Sequence, residues 1–281
     1  MKESIKDILK QLNLYHPLQS FYRNTIFKIR LAKSRTAYKK YEGAGYTCNV
    51  CGKNYQKFVP EYAAAVNKNA LEKNNVIAGY GENVYCPNCF SSARERLVIA
   101  YLKKYIDISD KKILHLSPEN NIYNFLKQNA TVVTADLLPG FYKSVDRTIQ
   151  HEDATILSFA DNSFDIVIAN HILEHIPDDK MAMKEILRVL KPIGKAILQV
   201  PYSSTLSATI EDPFIHDEKK QSEMFGQKDH VRIYALKDYI KRLEQTGFHV
   251  DTLSGKEIGG IAETSFQPGE VFFKITKPAR V

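Results

Sequence analysis

The spacing of apolar residues changes character near Asp110. From there onward short β-branched runs alternate with stretches in which apolar residues recur every three or four positions, and that alternation predicts an α/β sheet. Strands are expected at 112–116 (KILHL), 131–135 (TVVTA), 164–169 (FDIVIA), 195–200 (KAILQV), 248–254 and 271–276. Helices are expected at 121–128, 179–190 and 236–245. Open sheets of this kind bind ligands beyond the C-terminal ends of their central strands, so the residues following the first three strands are the ones to question. Residues 201–235 show little periodicity, and a loop of that length in a compact domain is a lid or a binding loop.

A length of 281 residues holds one large domain with an appendage. The 44% hydrophobic and 25% charged residues are ordinary globular proportions and exclude a fibrous or low-complexity chain. Charge is unevenly spread: of the net +7, residues 1–41 carry +8, and the rest of the chain nets −1. Any attraction for anions therefore belongs to the N-terminus. In 21–41, Phe21, Ile26, Ile29 or Leu31, and Tyr38 sit at helical spacing among seven basic residues, the pattern of an amphipathic basic helix. Such a helix suits packing on a neighbouring module, an anionic membrane surface or lipid-linked glycan, or RNA. No run of 18 to 20 apolar residues is present, and Lys6, Asp7 and Lys10 interrupt the N-terminus where a secretory signal would be apolar. The expectation is a cytoplasmic protein with reduced thiols, membrane-associated if the basic arm is used that way.

The four cysteines are Cys48 and Cys51, then Cys86 and Cys89, two C-x2-C pairs separated by 34 residues. Two such turns can point four thiolates at one ion and complete the closed tetrahedral shell of a structural Zn2+ site. Disulfides or a redox CxxC are the competing readings; a reducing compartment disfavours the first and the paired knuckles the second. The long insert suggests a zinc ribbon with an extended finger. Domain boundaries are expected at 1–45 for a basic helical arm, 46–92 for the zinc element, and 93–281 for the α/β domain with its lid at 201–235.

Asp136 follows the second strand about 20 residues beyond the first, where a carboxylate can accept both hydroxyls of a ribose. DNSFD at 161–165, NHILEH at 170–175 and EILRVLKP at 185–192 together resemble class I S-adenosylmethionine-dependent methyltransferases of the methyltransferase type 11 group, over residues 110–276. The resemblance implies a Rossmann-like seven-stranded sheet with a final antiparallel strand. It also implies S-adenosylmethionine as cofactor, with Asp136 and the adjoining Leu137 at the ribose, Asp153 and Ala154 at the adenine, and Asn170 and His171 at the methionine end. One departure stands out. The loop after the first strand reads LSPENN at 116–121, with none of the glycines that let the backbone pass close to a cofactor. His115, Ser117 and Glu119 are then expected to supply side-chain contacts, Glu119 to the cofactor's ammonium group. A bacterial subgroup with an N-terminal CxxC/CxxC element and an H-x-[AS]-P-E loop is similar to this chain throughout, and its usual company is polysaccharide assembly.

Methyl transfer to a hydroxyl needs positioning and removal of one proton. His171, Glu174 and His175 lie just beyond the 164–169 strand and offer either a general base, His175 or His171, or three ligands for a second divalent cation. In the lid, FGQKDHVRIY at 225–234 places Asp229, His230 and Arg232 together. His230 is the base if His175 is buried, and Arg232, Tyr202 and Gln227 are candidate substrate contacts. The expected function is O-methylation of a sugar or glycan intermediate or another small-molecule acceptor. The alternatives are an rRNA or tRNA methyltransferase gripping RNA through the ribbon and arm, and a zinc-bearing interaction protein without catalysis.

Overall fold

The structure, a computed structural model, describes residues 15–259 and 269–279. Residues 1–14 of the expected arm lie outside the described residues, as does the Phe21 side chain. The chain runs α1 (Tyr15–Tyr38), β1 (Glu42–Thr47), β2 (Asn54–Tyr55), β3 (Val59–Glu61), α2 (Ala65–Lys73), β4 (Val76–Ile77), β5 (Gly81–Tyr85) and α3 (Ala93–Tyr105). It continues through β6 (Lys112–Leu116), α4 (Asn120–Leu126), β7 (Thr131–Asp136), β8 (Gln150–His151), β9 (Phe164–Ile168), α5 (Asp179–Val189), β10 (Leu190–Ile197), β11 (Tyr202–Ser203) and β12 (Ile210–Glu211). The last elements are α6 (Glu218–Phe225), β13 (Arg232–Ala235), α7 (Leu236–Thr246), β14 (His249–Ser254), α8 (Gly255–Ile258) and β15 (Val271–Thr276). Among the described residues no helix is long and apolar enough to cross a membrane.

Seven strands form the main sheet in the order β14-β15-β10-β9-β6-β7-β8. The β6–β7, β6–β9, β9–β10 and β7–β8 pairs are parallel, and β15 runs antiparallel to both β10 and β14. This is a Rossmann-like sheet of seven strands with the final strand antiparallel, the arrangement the resemblance implied. Central parallel strands are covered on both faces and read as continuous apolar runs. Accordingly Leu114, Leu116, Val167 and Ala169 pack on one side with Met183 and Ile186 of α5 and Tyr239 and Leu243 of α7. Ile113, Ile166, Ile168 and Ile197 pack on the other with Val98 and Tyr101 of α3 and Ile122 of α4. Each such buried aliphatic side chain contributes roughly 1.5–3 kcal/mol. Helix ends follow their local chemistry: the Asp178 side chain caps α5 by accepting from Met181 N, and Gly247, at φ 116°, ends α7.

Boundaries differ from the sequence reading where pairing overrides pattern. β10 begins at Leu190, paired with Phe164, and its register breaks before Lys195 pairs with Ile166; residues 198–200 are buried but outside the strand. β8 is two exposed polar residues and carries no apolar signal.

The insert between the cysteine pairs is not an extended finger. Its β4 pairs antiparallel with β11, joining a second sheet of order β12-β13-β11-β4, and Leu71 of α2 lies directly against Gly226 at the end of α6. The long first helix also differs from the expected amphipathic stripe. Ile26 and Ile29 stay exposed, while Phe27 packs edge-on against Phe90 and the Arg30 guanidinium lies over that ring. Arg35 Nε donates to Asn88 O at 2.8 Å.

Residues 201–235 fold onto the sheet through one buried charge. Arg232 donates from Nη1 to Leu173 O and Ile176 O and from Nη2 to Pro177 O, and its Nε meets Glu211 Oε2 at 3.1 Å. Glu211 is also gripped by Arg242, at 2.8 Å, and Asp179 accepts from Arg242 and from the Tyr234 hydroxyl. Hydrogen bonds from Arg242, followed by those from Arg232, hold the Glu211 carboxyl down at about 2 against burial, from an ordinary 4.5. The folded chain therefore favours the ionised form. The stability Glu211 contributes is complete above pH 4.5, declines as the unfolded state takes up its proton, and is gone below about pH 2. Thermal unfolding of wild type and Glu211→Gln across pH 6 to 2 should show a difference of about 1–2 kcal/mol at pH 6, discounted for partial exposure, that vanishes in that window; a difference independent of pH would contradict the assignment.

Candidate active site

The C-terminal ends of β6, β7 and β9 converge on a ring of polar side chains. After β6 the chain turns at Ser117, which takes a left-handed φ of 46°. This is the conformation for which glycine is ordinarily used, and it costs a β-carbon-bearing residue about 1 kcal/mol. Ser117 N donates to Ala135 O at 2.9 Å, and its hydroxyl donates to Asp136 Oδ2. The glycine-free loop thus turns through a left-handed serine, whose side chain fastens it to the carboxylate at the end of β7. Asp136 Oδ1 accepts from Leu138 N, and Leu137 stands exposed beside it.

Glu119, beginning α4, is held from two sides. His115 Nε2 donates to its Oε2 at 3.0 Å, and Asn170 Nδ2 donates to its Oε1 at 2.6 Å. The His115 side chain has no exposed surface. Its expected direct contact with a cofactor is therefore corrected: it sits beneath Glu119 and orients that carboxylate. Burial raises the Glu119 carboxyl, and the hydrogen bond and charge of His115, the charge of Arg94 and the bond from Asn170 outweigh this and lower it. Further along, Asp153 Oδ1 accepts from Thr155 N and Oγ1, a local turn that places Ala154, half-buried against the core, at the same sheet edge.

His171 also has a left-handed φ, 55°, and its N donates to Gln199 O at 2.7 Å. Strain of this kind persists only where the surroundings impose it. Its ring is nearly buried, with Nδ1 3.5 Å from Glu174 Oε1. Burial, then the charge of Arg94, pushes the His171 imidazole down. Glu174 is buried as well; the hydrogen bond and charge of His171, with the charges of His175 and His230, overcome desolvation and bring its carboxyl to about 2. Asn170 Oδ1, His171 Nε2 and Glu174 Oε2 are buried without a hydrogen-bond partner in the protein. Buried polar atoms of this sort call for water, a ligand or an ion to complete them.

The lid residues divide sharply. His230 is buried and its ring stands perpendicular to that of His175, centroids 4.6 Å apart. Burial pushes the His230 imidazole down to about 4, which makes it a weak base, and His175 is not buried, its side chain being 31% exposed. The condition for assigning His230 as the base is thus not met. Asp229 is exposed, with its backbone oxygen 3.2 Å from His175 Nδ1 and its Oδ1 accepting from Gln227 Nε2. Arg232 and Tyr202 are corrected as substrate contacts. Arg232 is 1% exposed and spent on the 173–177 carbonyls. The Tyr202 hydroxyl accepts from Val271 N and donates to Gly269 O. The ligand atoms that come together are those of Glu174, His175 and His230, all within 4.8 Å of one another, in place of the expected set of His171, Glu174 and His175.

The four cysteines are free and clustered. Cys48 and Cys89 sulfurs are 3.6 Å apart and those of Cys51 and Cys86 3.7 Å. Four thiolates around a Zn2+ at about 2.3 Å stand about 3.8 Å apart, which these two spacings match. Hydrogen bonds from the other three sulfurs, Cys51 foremost, drive the Cys48 thiol down. One residue escaped the sequence reading. Arg94, four residues after the last cysteine's neighbour Phe90, acts electrostatically on both Glu119 and His171. The only signal for it was a basic residue beside the knuckle. A cavity of 460 Å³ lined by Tyr62, Leu71, Val76 and Tyr80 lies in the insert, and Tyr80 feels the charges of Arg94 and Asp229.

Residues 118–198 match the family described as a methyltransferase domain. The chain is 32% identical over 100 residues to protein YafE of Escherichia coli, covering 36% of this chain and 45% of that protein. It is 50% identical over 46 residues to the demethylmenaquinone methyltransferase of Renibacterium salmoninarum, 16% of this chain and 19% of that enzyme. The chain thus spans less than half the length of these relatives. Among solved structures, an S-adenosylmethionine dependent methyltransferase from Mesorhizobium loti superposes with a TM-score of 0.45 at 13% identity, over 64% of this chain and 95% of that one. The segment carrying Glu119, Asp136, Asn170 and Glu174 is therefore the part of the chain that is similar to methyltransferase domains.

Proposed function

We propose that the protein is an S-adenosylmethionine-dependent methyltransferase acting on a hydroxyl of a sugar or glycan. The observation that carries the reading is the set of unpartnered buried polar atoms of Asn170, His171 and Glu174, at the sheet edge where Asp136 and Glu119 are already fixed by neighbouring side chains. The residues fit the cofactor: Asp136 has lone pairs left for a ribose diol, Glu119 a negative charge for the ammonium group, and Asn170 Oδ1 an acceptor for the same end. When bound, the cofactor supplies an electrophilic methyl group on its sulfonium. The chain's part is to hold the acceptor in line, exclude water and take the proton. His175 is the candidate base, since its Nδ1 is oriented by the Asp229 carbonyl and its ring is partly open. A sugar-sized acceptor suits the tyrosine-lined cavity of the insert, whose volume lies in the range of small-molecule sites.

We also propose that Cys48, Cys51, Cys86 and Cys89 hold a structural Zn2+. The support is the sulfur spacing and the set of four thiolates, two from buried and two from half-buried cysteines, which fills a tetrahedral shell and leaves no position for a substrate.

Two outcomes are expected. Calorimetric titration of S-adenosylhomocysteine should show saturable binding that Asp136→Ala weakens about 10- to 100-fold, the value of hydrogen bonds to a charged acceptor; no binding at millimolar ligand would remove the transferase reading. Metal analysis should find one zinc per chain that is held by the cysteines, the equivalent lost in a Cys86→Ser, Cys89→Ser double variant. Because Ser92 and Asn121 share the Glu95 carboxylate, that loss should also weaken S-adenosylhomocysteine binding about fivefold; unchanged zinc content in the variant would contradict the assignment.

A further inference from the structure

Glu174, His175 and His230 come from two separate stretches of chain, and the fold spends considerable structure on bringing them together. Val231 N donates to Glu174 O at 3.0 Å, so the lid residue after His230 is bonded to the main chain of Glu174. Arg232, one residue further, holds the carbonyls on either side of that pair, Leu173 and Ile176. The three side chains end with ligand atoms all within 4.8 Å. Donors around one divalent ion at about 2.1 Å stand about 3–4 Å apart, a closure that small side-chain rotations supply.

The side chains are also prepared individually. Glu174 is 1% exposed, and its Oε2 has no hydrogen-bond partner. His175 Nδ1 faces the Asp229 carbonyl at 3.2 Å, which leaves Nε2 as the lone-pair nitrogen. Metal-ligating histidines carry this second hydrogen bond to a carbonyl or carboxylate, which fixes tautomer and ring direction. The perpendicular set of the His175 and His230 rings, 86° apart, excludes stacking and suits two imidazoles converging on a point.

We propose that Glu174, His175 and His230 bind a divalent transition-metal cation, of the Zn2+ or Mn2+ class, beside the methyl-donor site. Two imidazoles and one carboxylate select such ions over Mg2+ or Ca2+, which take oxygen-only shells. Three protein ligands leave coordination positions open for water or an acceptor oxygen; with the ion bound, His175 Nε2 is a ligand and takes no proton, so its role as base belongs to the metal-free protein. His171 lies outside the shell; its Nδ1 faces the other Glu174 oxygen and orients it. Only the assignment of the open positions to an acceptor oxygen rests on the methyltransferase reading. The cation site itself does not.

The test uses the full chain with its cysteine site zinc-filled, dialysed to equilibrium against MnCl2 and, separately, ZnCl2, with bound metal counted by emission spectrometry. One equivalent beyond that held by the cysteines is expected from at least one of the two ions. Its dissociation constant should rise at least tenfold in Glu174→Gln and in His175→Ala, both compared at equal melting temperature. His175 is partly exposed, so that variant keeps the test open if Glu174→Gln unfolds. Absence of the extra equivalent with both ions, or its retention in both variants, overturns the proposal. S-adenosylhomocysteine titration of the same samples separates the two readings: cofactor bound without the extra metal sinks the cation site alone, and metal bound without cofactor sinks the transferase alone.

Discussion

The carboxylate of Glu95 is the joint on which the two halves of the molecule meet. Its Oε2 accepts from Ser92 N and Oγ at 2.8 and 3.0 Å, closing the N-terminus of α3. Its Oε1 accepts from Asn121 N and Nδ2 at 3.3 and 3.0 Å, in the first turn of α4, the helix that Glu119 begins. Burial pushes this carboxyl upward, and the hydrogen bonds from Ser92 and Asn121 oppose it. Such a group is tolerable only fully partnered. The next residue, Arg96, is fully buried and donates to the carbonyls of Ser91, Asn83 and Val84 while lying over Phe58. One helical turn thus fastens the cysteine knuckle to the loop that would face a cofactor, and the position of either fixes the other.

The central strands were legible because burial on both faces leaves little choice of residue. KILHL is β6 to the residue, and the 271–276 run is β15. The helix expected at 121–128 begins one residue earlier, at Asn120. What could not be read is what depends on the partner. β8 is a strand because Asp136 pairs with His151, and two polar residues announce nothing of the kind. The site residues divide by the same logic. Asp136 ends β7 and Asn170 follows β9 by two residues, positions at the C-terminal edge of the sheet where ligands of such sheets lie. His115, Tyr202 and Arg232 have equally reactive chemistry, but lie one step inward, where it serves neighbouring backbone or side chains. Sequence spacing gives the type of group and its distance along the chain. It does not say on which side of a turn the group falls.

The missing glycines illustrate how a motif can change while its geometry persists. Two residues with side chains, Ser117 after β6 and His171 after the neighbouring β9, hold left-handed conformations. Each accepts backbone strain that glycine would avoid. Ser117 recovers part of it through the bond from its hydroxyl to Asp136, which a glycine could not make. The loop is therefore more restrained than a glycine-rich one, and Asp136 is pre-positioned by a neighbour instead of by solvent.

The strand contributed by the insert between the cysteine pairs has a consequence for the integrity of the whole chain. β4 covers the free side of β11, with Ile77 opposite Tyr202 and Val76 opposite Ser203. Were the first ninety or so residues cut away, β11 would become an open edge, its main-chain groups available to any extended peptide, including another copy of itself. The α/β portion, which by its strand order looks like an independent unit, thus has one of its strand edges closed by a short piece of the segment that precedes it.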